Sequence, residues 1–169
     1  MRKTILIVFS FLATSLAFSQ TKSKMSTQPK KEYPEAHDAA YWKKKLSPFT
    51  YQIMVEKGTE LPYQNPYFNN HVKGVYVSAA TGDTLFTSNT KFESGTGWPS
   101  FYEAADLKKV KIVKDYSLGE ERDEVVEAKT GLHLGHLFMD GPQPTGKRYC
   151  MNSAALKFIP AKPNSSGKK

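Results

Sequence analysis

Short apolar segments separated by turn residues are the feature that most limits how this chain can fold. They begin at Gly74 and are interrupted by Gly82-Asp83, Asp140-Gly141-Pro142 and Pro144-Thr145-Gly146. This spacing is typical of antiparallel strands joined by hairpin turns. No helix-length pattern alternates with the segments, which argues against a doubly wound α/β fold. The sequence therefore predicts a mainly β (α+β) single domain.

Two short helices are expected before the strands. Asp38 is a suitable N-cap for a helix that runs through Leu46. Ser47 followed by Pro48 supplies an N-cap and a first-turn residue for a second helix, which we expect to end at Gly58. The predicted apolar side of this second helix consists of Phe49, Ile53 and Met54.

The first 19 residues have the three parts of a secretory signal peptide. Met1-Arg2-Lys3 is basic, the stretch from Ile5 to Phe18 is mostly apolar, and Ala17-Phe18-Ser19 places small residues before Gln20. The apolar run is shorter than the roughly 20 residues of a transmembrane helix. An uncleaved membrane anchor is the alternative. We expect an exported protein that functions in the periplasm or outside the cell, with no stable membrane insertion once the signal is cleaved.

The two ends of the chain carry its positive charge. Residues 20–36 and 160–169 are rich in polar residues and lysine, which predicts a flexible linker and a flexible tail around a domain at 37–159. The chain has a net charge of +8, yet residues 34–159 hold 15 basic and 15 acidic side chains. A nucleic-acid-binding domain normally carries positive charge on its folded surface. The charge distribution therefore argues against a nucleic-acid partner.

A single cysteine stands among polar neighbours. Because the sequence has only this one cysteine, an intramolecular disulfide and a Cys-rich zinc site are excluded. In a strand, Arg148, Cys150 and Asn152 would project from the same face. A cysteine between a cation and an amide has the surroundings of a reactive thiol with a lowered pKa, and Arg148 is the candidate for stabilising its thiolate. The alternative is a small, buried, apolar cysteine.

Two further segments contain candidate functional residues. Ser94–Phe101 has two glycines, which allow a close approach of the backbone, and Trp98, whose large apolar face is either exposed to a ligand or part of the core. His133 and His136 are three residues apart, so they face opposite sides of a regular strand. Both rings reach one site only if the strand bulges or bends at Gly135. The alternative is one structural and one surface histidine.

Together, and in this order, the three segments resemble the B-type methionine sulfoxide reductases, which act on the R epimer of the sulfoxide. The resemblance extends from about Trp42 to Phe158 and includes Gly58-Thr59-Glu60 and Gly74-Val75-Tyr76-Val77. It implies two antiparallel sheets with short helices at the N-terminal end. It also implies reduction of methionine-R-sulfoxide, free or in proteins, as a repair of oxidative damage.

The resemblance implies a role for each site residue. Cys150 corresponds to the nucleophile, whose thiolate attacks the sulfoxide sulfur and is left as a sulfenic acid. The residues that hold the oxygen and supply or orient its proton correspond to His133, His136 and Asn152, with the choice of acid between the histidines left open. Trp98 corresponds to the residue that packs against the methyl group on sulfur.

The chain departs from the family pattern in two ways. Many members bind a structural zinc through four cysteines, and the matching positions here are Ser78, Thr81, Glu127 and Thr130. We therefore expect no zinc and no other cofactor. Many members also have a resolving cysteine, often at the position of Thr96. Because this sequence has no second cysteine, a thioredoxin-like domain, a glutaredoxin-like domain or a small thiol must reduce the sulfenic acid.

Two other functions fit the same residue types. A cysteine, a histidine and Asn152 form the triad of some hydrolases and acyltransferases, although no motif here indicates an oxyanion hole. A binding module that has kept the pocket and lost turnover is the second alternative.

Overall fold

The computed structural model describes residues 33–162. The predicted signal peptide at 1–19, residues 20–32 of the predicted linker and residues 163–169 of the predicted tail lie outside the described residues. Within the described range, the chain forms a mostly antiparallel β domain with two short helices. This confirms the predicted fold class. None of the helices in this range is long and apolar enough to cross a membrane.

Both helices begin where the sequence predicts. Helix α1 spans Ala39–Lys45 and helix α2 spans Pro48–Met54. The Asp38 side chain accepts a hydrogen bond from the backbone N–H of Tyr41 at 2.8 Å. Ser47 accepts one from the backbone N–H of Thr50 at 3.1 Å. These side chains satisfy N–H groups that the first helical turn leaves unpaired.

The predicted end of α2 is wrong by four residues. The helix stops at Met54 rather than near Gly58, and the intervening Lys57 has a φ of 56°, which is incompatible with helical geometry. Ile53 and Met54 are each 1% exposed, as the apolar pattern predicts. Phe49, placed on the same side by the pattern, is 53% exposed. The helix has only seven residues, and its buried side chains lie in its last turn.

Nine strands form two antiparallel sheets within the described residues. They are β1 Gly74–Ser78, β2 Thr84–Thr87, β3 Lys91–Phe92, β4 Ser100–Phe101, β5 Val110–Asp115, β6 Arg122–Glu127, β7 His133–Phe138, β8 Arg148–Met151 and β9 Leu156–Pro160. The small sheet has the order β2-β1-β9, and the large sheet has the order β3-β4-β8-β7-β6-β5. Strand β9 ends at Pro160, which is the first residue of the predicted tail. In the sheet, Pro160 is the Cα partner of Gly74.

The sheets pack together through aromatic side chains. Phe86 of β2 stacks on Phe101 of β4 with ring centroids 4.5 Å apart, and it approaches Tyr149 of β8 at 5.6 Å. Tyr76 of β1 meets Phe101 at 5.0 Å in an edge-to-face arrangement. All four rings are buried. This layer therefore supports β8, the strand that carries Cys150, from the core side.

The opposite face of the large sheet carries polar side chains. Glu124, His136, Cys150 and Ser100 are successive Cα partners across β6, β7, β8 and β4. Directly paired residues of antiparallel strands project from the same face. The pairing thus places these four residues in one row, on the face opposite to Tyr149.

The last four residues assigned to the linker lie against the domain. The backbone N–H of Glu35 donates to the carbonyl oxygen of Lys129 at 2.8 Å. The ring of Tyr33 lies against Gly131, so closely that a side chain there would collide with it. Residues 33–36, which belong to the predicted linker, therefore contact the domain.

A buried glutamate joins the two sheets at the positions where the family resemblance described above implied zinc ligands. Glu127 is 1% exposed and accepts hydrogen bonds from the hydroxyl groups of Thr81 and, at 2.7 Å, of Thr130. The hydroxyl oxygen of Ser78 accepts from the backbone N–H groups of Ala80 and Thr81 at 3.2 and 3.3 Å. The Glu127 cluster, defined as these four side chains from positions 78, 81, 127 and 130, links the β1–β2 turn to the β6–β7 turn.

We expect Glu127→Ala to lower the free energy of unfolding by about 3 kcal/mol, because it removes a buried side chain and leaves two hydroxyl groups without their acceptor. Urea denaturation of the purified protein measures this change. Glu120→Ala on the exposed β5–β6 turn is the control and should change stability by less than about 0.5 kcal/mol. Equal stability of the two variants would contradict a structural role for the Glu127 cluster.

Candidate active site

A bulge in β7 brings both histidines to one face of the sheet. Val125 of β6 pairs with Gly135, whereas the next residue, Val126, pairs with His133, so one residue of β7 is skipped. The rings of His133 and His136 consequently approach with centroids 5.4 Å apart. A Cβ atom at Gly135 would lie 2.1 Å from the carbonyl oxygen of Cys150. The bulge that both rings require to share a face is therefore present, and glycine permits β8 to approach this closely.

Cys150 borders a small open cavity on the polar face of the sheet. The cavity has a volume of about 160 Å³. It is lined by Thr59, Trp98, Arg122, Gly135, His136, Phe138, Cys150, Met151 and Asn152. Four of the six sequence-predicted site residues are among them. A space of this size accommodates the end of one side chain, because pockets for larger ligands occupy roughly 300 Å³ or more.

The glycine-rich segment positions the indole in the cavity wall. Gly97 has a φ of +88°, and a Cβ atom there would lie 2.7 Å from the backbone nitrogen of Tyr63. The close backbone approach expected from the two glycines is thus present at Gly97, whereas a Cβ atom at Gly95 would meet nothing within 4 Å. The half-buried Trp98 donates a hydrogen bond from Nε1 to the carbonyl oxygen of Glu60 at 3.0 Å. With its polar atom paired in this way, the indole offers an apolar surface to the cavity.

Burial and the neighbouring polar groups shift the pKa of Cys150 in opposite directions. Burial raises the pKa of the Cys150 thiol above its ordinary value of 9.0, while the charge of Arg148 and a hydrogen bond with Thr96 act in the opposite direction. Arg148 is itself held by Asp140 through two hydrogen bonds of 2.8 Å. The expectation of a lowered thiol pKa is therefore wrong, because the cost of burying a thiolate outweighs the nearby cation.

Asn152 and His133 form a fixed chain beside the cavity. The Oδ1 atom of Asn152 accepts from the backbone N–H of Glu60 at 3.1 Å, and its Nδ2 atom donates to the carbonyl oxygen of Leu134 at 3.2 Å. These bonds set the orientation of the amide, so the 3.4 Å contact from Nδ2 to His133 Nε2 is one in which the imidazole accepts. The proton of His133 then lies on Nδ1, which is 2.8 Å from Glu124 Oε1.

His133 is held away from the cavity. It is 2% exposed and is not among the residues that line the cavity. Its partner Glu124 also binds Lys57 Nζ at 2.8 Å. Burial alone would raise the pKa of Glu124, but the hydrogen bonds from His133 and Lys57 hold that pKa below its ordinary value. His133 is thus held between Asn152, whose amide is oriented by backbone groups, and Glu124, which Lys57 binds.

His136 reaches the cavity and has a different carboxylate partner. Its Nε2 atom lies 2.9 Å from Oδ2 of Asp115. The same Asp115 oxygen accepts a hydrogen bond from Nη2 of Arg122 at 2.5 Å. Burial lowers the pKa of His136 below 6.5, although the hydrogen bond to Asp115 opposes this shift. At neutral pH the site therefore contains a neutral imidazole next to a protonated thiol.

Sequence reasoning missed the charged residues that hold the histidines. Along the chain, His136 lies 21 residues after Asp115 and 14 residues after Arg122, and His133 lies 9 residues after Glu124. All three charged residues belong to a hairpin that contains no glycine-rich or cysteine motif. The one available signal was alternation: Arg122 and Glu124 share a face of a strand whose other members include buried valines. That pattern predicts an inward-facing acid but not its partner.

Sequence comparison assigns this chain to a class of protein. The SelR domain family matches residues 46–160, a segment that contains every residue lining the cavity. Two relatives are each named "Peptide methionine sulfoxide reductase MsrB". The one from Methanosarcina barkeri is 53% identical over 117 residues, which cover 69% of this chain and 82% of the relative. The one from Leptospira interrogans is 54% identical over 117 residues, covering 69% and 89%.

A more distant relative has a name that specifies the epimer. "Methionine-R-sulfoxide reductase B3, mitochondrial" from Mus musculus is 44% identical over 119 residues, which cover 70% of this chain and 47% of the relative. The family match and these identities are sufficient for assignment. The chain belongs to the B-type methionine sulfoxide reductases, and membership supports reduction of methionine sulfoxide as its activity.

We expect Cys150 to react with iodoacetamide with a pH midpoint above 9.0, because burial raises the pKa of its thiol and the thiolate is the reacting form. The sequence has one cysteine, so alkylation measured by intact mass reports on Cys150 alone. Arg148→Gln should move the midpoint to higher pH. Lys147→Gln makes the same change in net charge one residue earlier and is the control. A wild-type midpoint below 9.0 would contradict this description of the site.

Proposed function

We propose that this protein reduces the R epimer of methionine sulfoxide to methionine with Cys150 as the nucleophile. The carrying observation is the position of Cys150 and His136 as direct neighbours across β7 and β8, at a cavity that admits the end of one side chain. Trp98 supplies an apolar surface for the methyl group on sulfur. The name of the mouse relative, which specifies the R sulfoxide, supports the choice of epimer.

The proposed reaction transfers one oxygen atom between two sulfur atoms. The thiolate of Cys150 attacks the sulfoxide sulfur and forms a sulfur–sulfur bond. The protonated oxygen then passes to the Cys150 sulfur as the sulfur–oxygen bond of the sulfoxide and the new sulfur–sulfur bond both break. The oxygen ends on Cys150 as a sulfenic acid, while methionine leaves as a thioether. Cys150 is oxidised by two electrons and the substrate is reduced by two. The thiol proton of Cys150 ends on the oxygen, so the step consumes no proton from solution.

His136 is the proposed carrier of that proton. In the resting site, one proton resides on the Cys150 thiol and His136 is neutral, because burial disfavours both charged forms. Transfer of the proton to His136 generates the thiolate and the imidazolium together. The imidazolium then protonates the oxygen as the sulfur–oxygen bond breaks. His133 does not suit this role, because its Nε2 atom accepts the hydrogen bond of Asn152.

An external thiol completes the proposed cycle. Because the sequence contains one cysteine, the sulfenic acid of Cys150 has no internal thiol with which to form a disulfide. A first thiol attacks the sulfenic sulfur and releases water, leaving a mixed disulfide. A second thiol attacks that disulfide and restores Cys150. A thioredoxin-like domain, a glutaredoxin-like domain or a small thiol supplies these two electrons.

The proposed cellular role is repair of oxidised methionine in exported proteins. The basic and apolar pattern of residues 1–19 supports export. The substrate is then free or protein-bound methionine-R-sulfoxide in the periplasm or outside the cell. Reducing equivalents must be supplied to that compartment from across a membrane.

We also propose that the protein works without a structural zinc ion. One carboxyl group and three hydroxyl groups at positions 78, 81, 127 and 130 do not match the thiolate and imidazole ligands of such sites. We expect metal analysis after expression in zinc-supplemented medium to find well under one zinc ion per chain. EDTA should leave the thermal midpoint unchanged, since structural metals contribute directly to folding. One zinc per chain, lost together with stability, would contradict this proposal.

The reductase activity is tested with the separate R and S epimers of methionine sulfoxide and dithiothreitol as reductant. We expect methionine to be released from the R epimer only. Without reductant, one equivalent of the R epimer should yield one methionine and a dimedone adduct on Cys150, because the sulfenic acid cannot be resolved internally. Release of methionine from both epimers would contradict the assigned specificity.

Variants in the same assay separate the alternatives. Cys150→Ser should abolish turnover with an unchanged fold, and His136→Gln should lower the single-turnover rate by about 100-fold or more. A non-catalytic binding module would retain its free thiol after addition of the sulfoxide. A hydrolase or acyltransferase would release no methionine and would instead form an acyl adduct with an activated ester.

A further inference from the structure

The β5–β6 hairpin places one carboxylate between His136 and a cation. Asp115 ends β5 and Arg122 begins β6, and the two residues are Cα partners. Oδ2 of Asp115 lies 2.9 Å from His136 Nε2 and 2.5 Å from Arg122 Nη2. Arg122 and His136 both line the cavity that Cys150 borders. A single carboxylate oxygen is therefore shared by the imidazole and the guanidinium.

We propose that Asp115 and Arg122 are positioning residues that fix the ring of His136 and set its protonation with opposite effects. The proton-carrying role of His136 belongs to the proposed function, so this inference rests on that proposal for its effect on catalysis. The arrangement of the three side chains does not depend on it.

The contact with Asp115 determines which nitrogen of His136 takes part in proton transfer. A carboxylate accepts hydrogen bonds, so the proton of the neutral ring is on Nε2. The hydrogen bond from His136 holds the pKa of Asp115 far below its ordinary value, which keeps the carboxylate ionised. Nδ1 is then the nitrogen that receives the Cys150 proton and delivers it to the oxygen. Without Asp115 the two nitrogens would be free to exchange these roles.

The two charges act on His136 in opposite directions. The negative charge of Asp115 favours the imidazolium, while the positive charge of Arg122 disfavours it. Nε of Arg122 is buried and has no hydrogen-bond partner among residues 33–162, and Asp115 is the carboxylate paired with its guanidinium. Arg122 therefore partly cancels the increase in the pKa of His136 that Asp115 causes.

Other charged groups near His136 are engaged elsewhere. His133 of β7 also lowers the pKa of His136, by less than Arg122 does. Glu124 of β6 is bound by His133 and by the exposed Lys57. On β8, Arg148 is paired with Asp140, next to the neutral thiol of Cys150. The ionisable side chains near His136 on β5, β6, β7 and β8 are thus Asp115, Arg122, Glu124, His133, Arg148 and Cys150.

NMR titration of the imidazole groups tests the inference without any assay of activity. Asp115→Asn should lower the pKa of His136 by about one unit or more, and Arg122→Gln should raise it, because each variant removes one of the opposing charges. The spectrum of His136→Gln identifies the signal. If Asp115→Asn does not fold, the shift in Arg122→Gln decides alone. An unchanged His136 titration in the folded variants would overturn the proposal.

The pH dependence of kcat/KM then tests the effect on catalysis. A fall of one unit in the pKa of His136 makes the thiolate–imidazolium form about tenfold rarer at a given thiol pKa, so the plateau rate of Asp115→Asn should fall about tenfold or more. Its low-pH limb should move to lower pH, whereas that of Arg122→Gln should move to higher pH. Limbs that stay in place while His136 titrates differently would overturn the link to catalysis.

Matched variants on the same hairpin exclude a general effect of charge or stability. Asp123→Asn and Lys114→Gln make the same changes in net charge at an exposed ion pair of 2.9 Å, and neither residue is among the groups that shift the pKa of His136. Both should leave the His136 titration and the pH profile unchanged. Opposite titration shifts in a protein that releases no methionine from the R epimer would sustain the positioning roles and refute the proposed function.

Discussion

The pairing of β7 with β8 is the constraint on which the rest of the site depends. Cys150 lies in the interior of a strand with a partner on each side, His136 on β7 and Ser100 on β4. Its backbone position is therefore fixed by two ladders of hydrogen bonds before any side chain is considered. Gly135 lets β7 approach the carbonyl oxygen of Cys150, and the adjacent bulge adds His133 to the same face. The register of the sheet thus brings Cys150, His136 and His133 to one face.

The charged residues around this row are arranged against the effect of burial. Burial favours the neutral forms of Cys150 and His136, whereas the proposed reaction passes through their ionised forms. The guanidinium of Arg148 faces the thiol, and the carboxylate of Asp115 faces the imidazole. Each charge therefore stabilises the form that its neighbour takes during reaction. Because these charges are held in place beforehand, they require little reorganisation when the proton moves.

The fold class followed from local patterns, whereas the charged residues around the candidate site did not. Turn residues and strand alternation sufficed to predict the antiparallel class, and Gly135 indicated the bulge. Asp115 and Arg122 escaped prediction because their contacts depend on the register of a hairpin, which no local motif specifies. The direction of the Cys150 pKa was wrong for a similar reason. The cation was visible in the sequence, but the degree of burial depends on the packing of distant segments.

The Glu127 cluster connects the stability of the fold to the position of the histidines. The Thr130 hydroxyl group donates a hydrogen bond to Glu127 and accepts one from the backbone N–H of Leu132, the residue immediately before His133. The backbone of Glu127 in turn pairs with Leu132 and Gly131. The turn leading into β7 is therefore anchored through a carboxyl group and hydroxyl groups of the chain itself. These hydrogen bonds fix the start of the bulged strand β7, and they thereby help to position the two histidines that this strand carries.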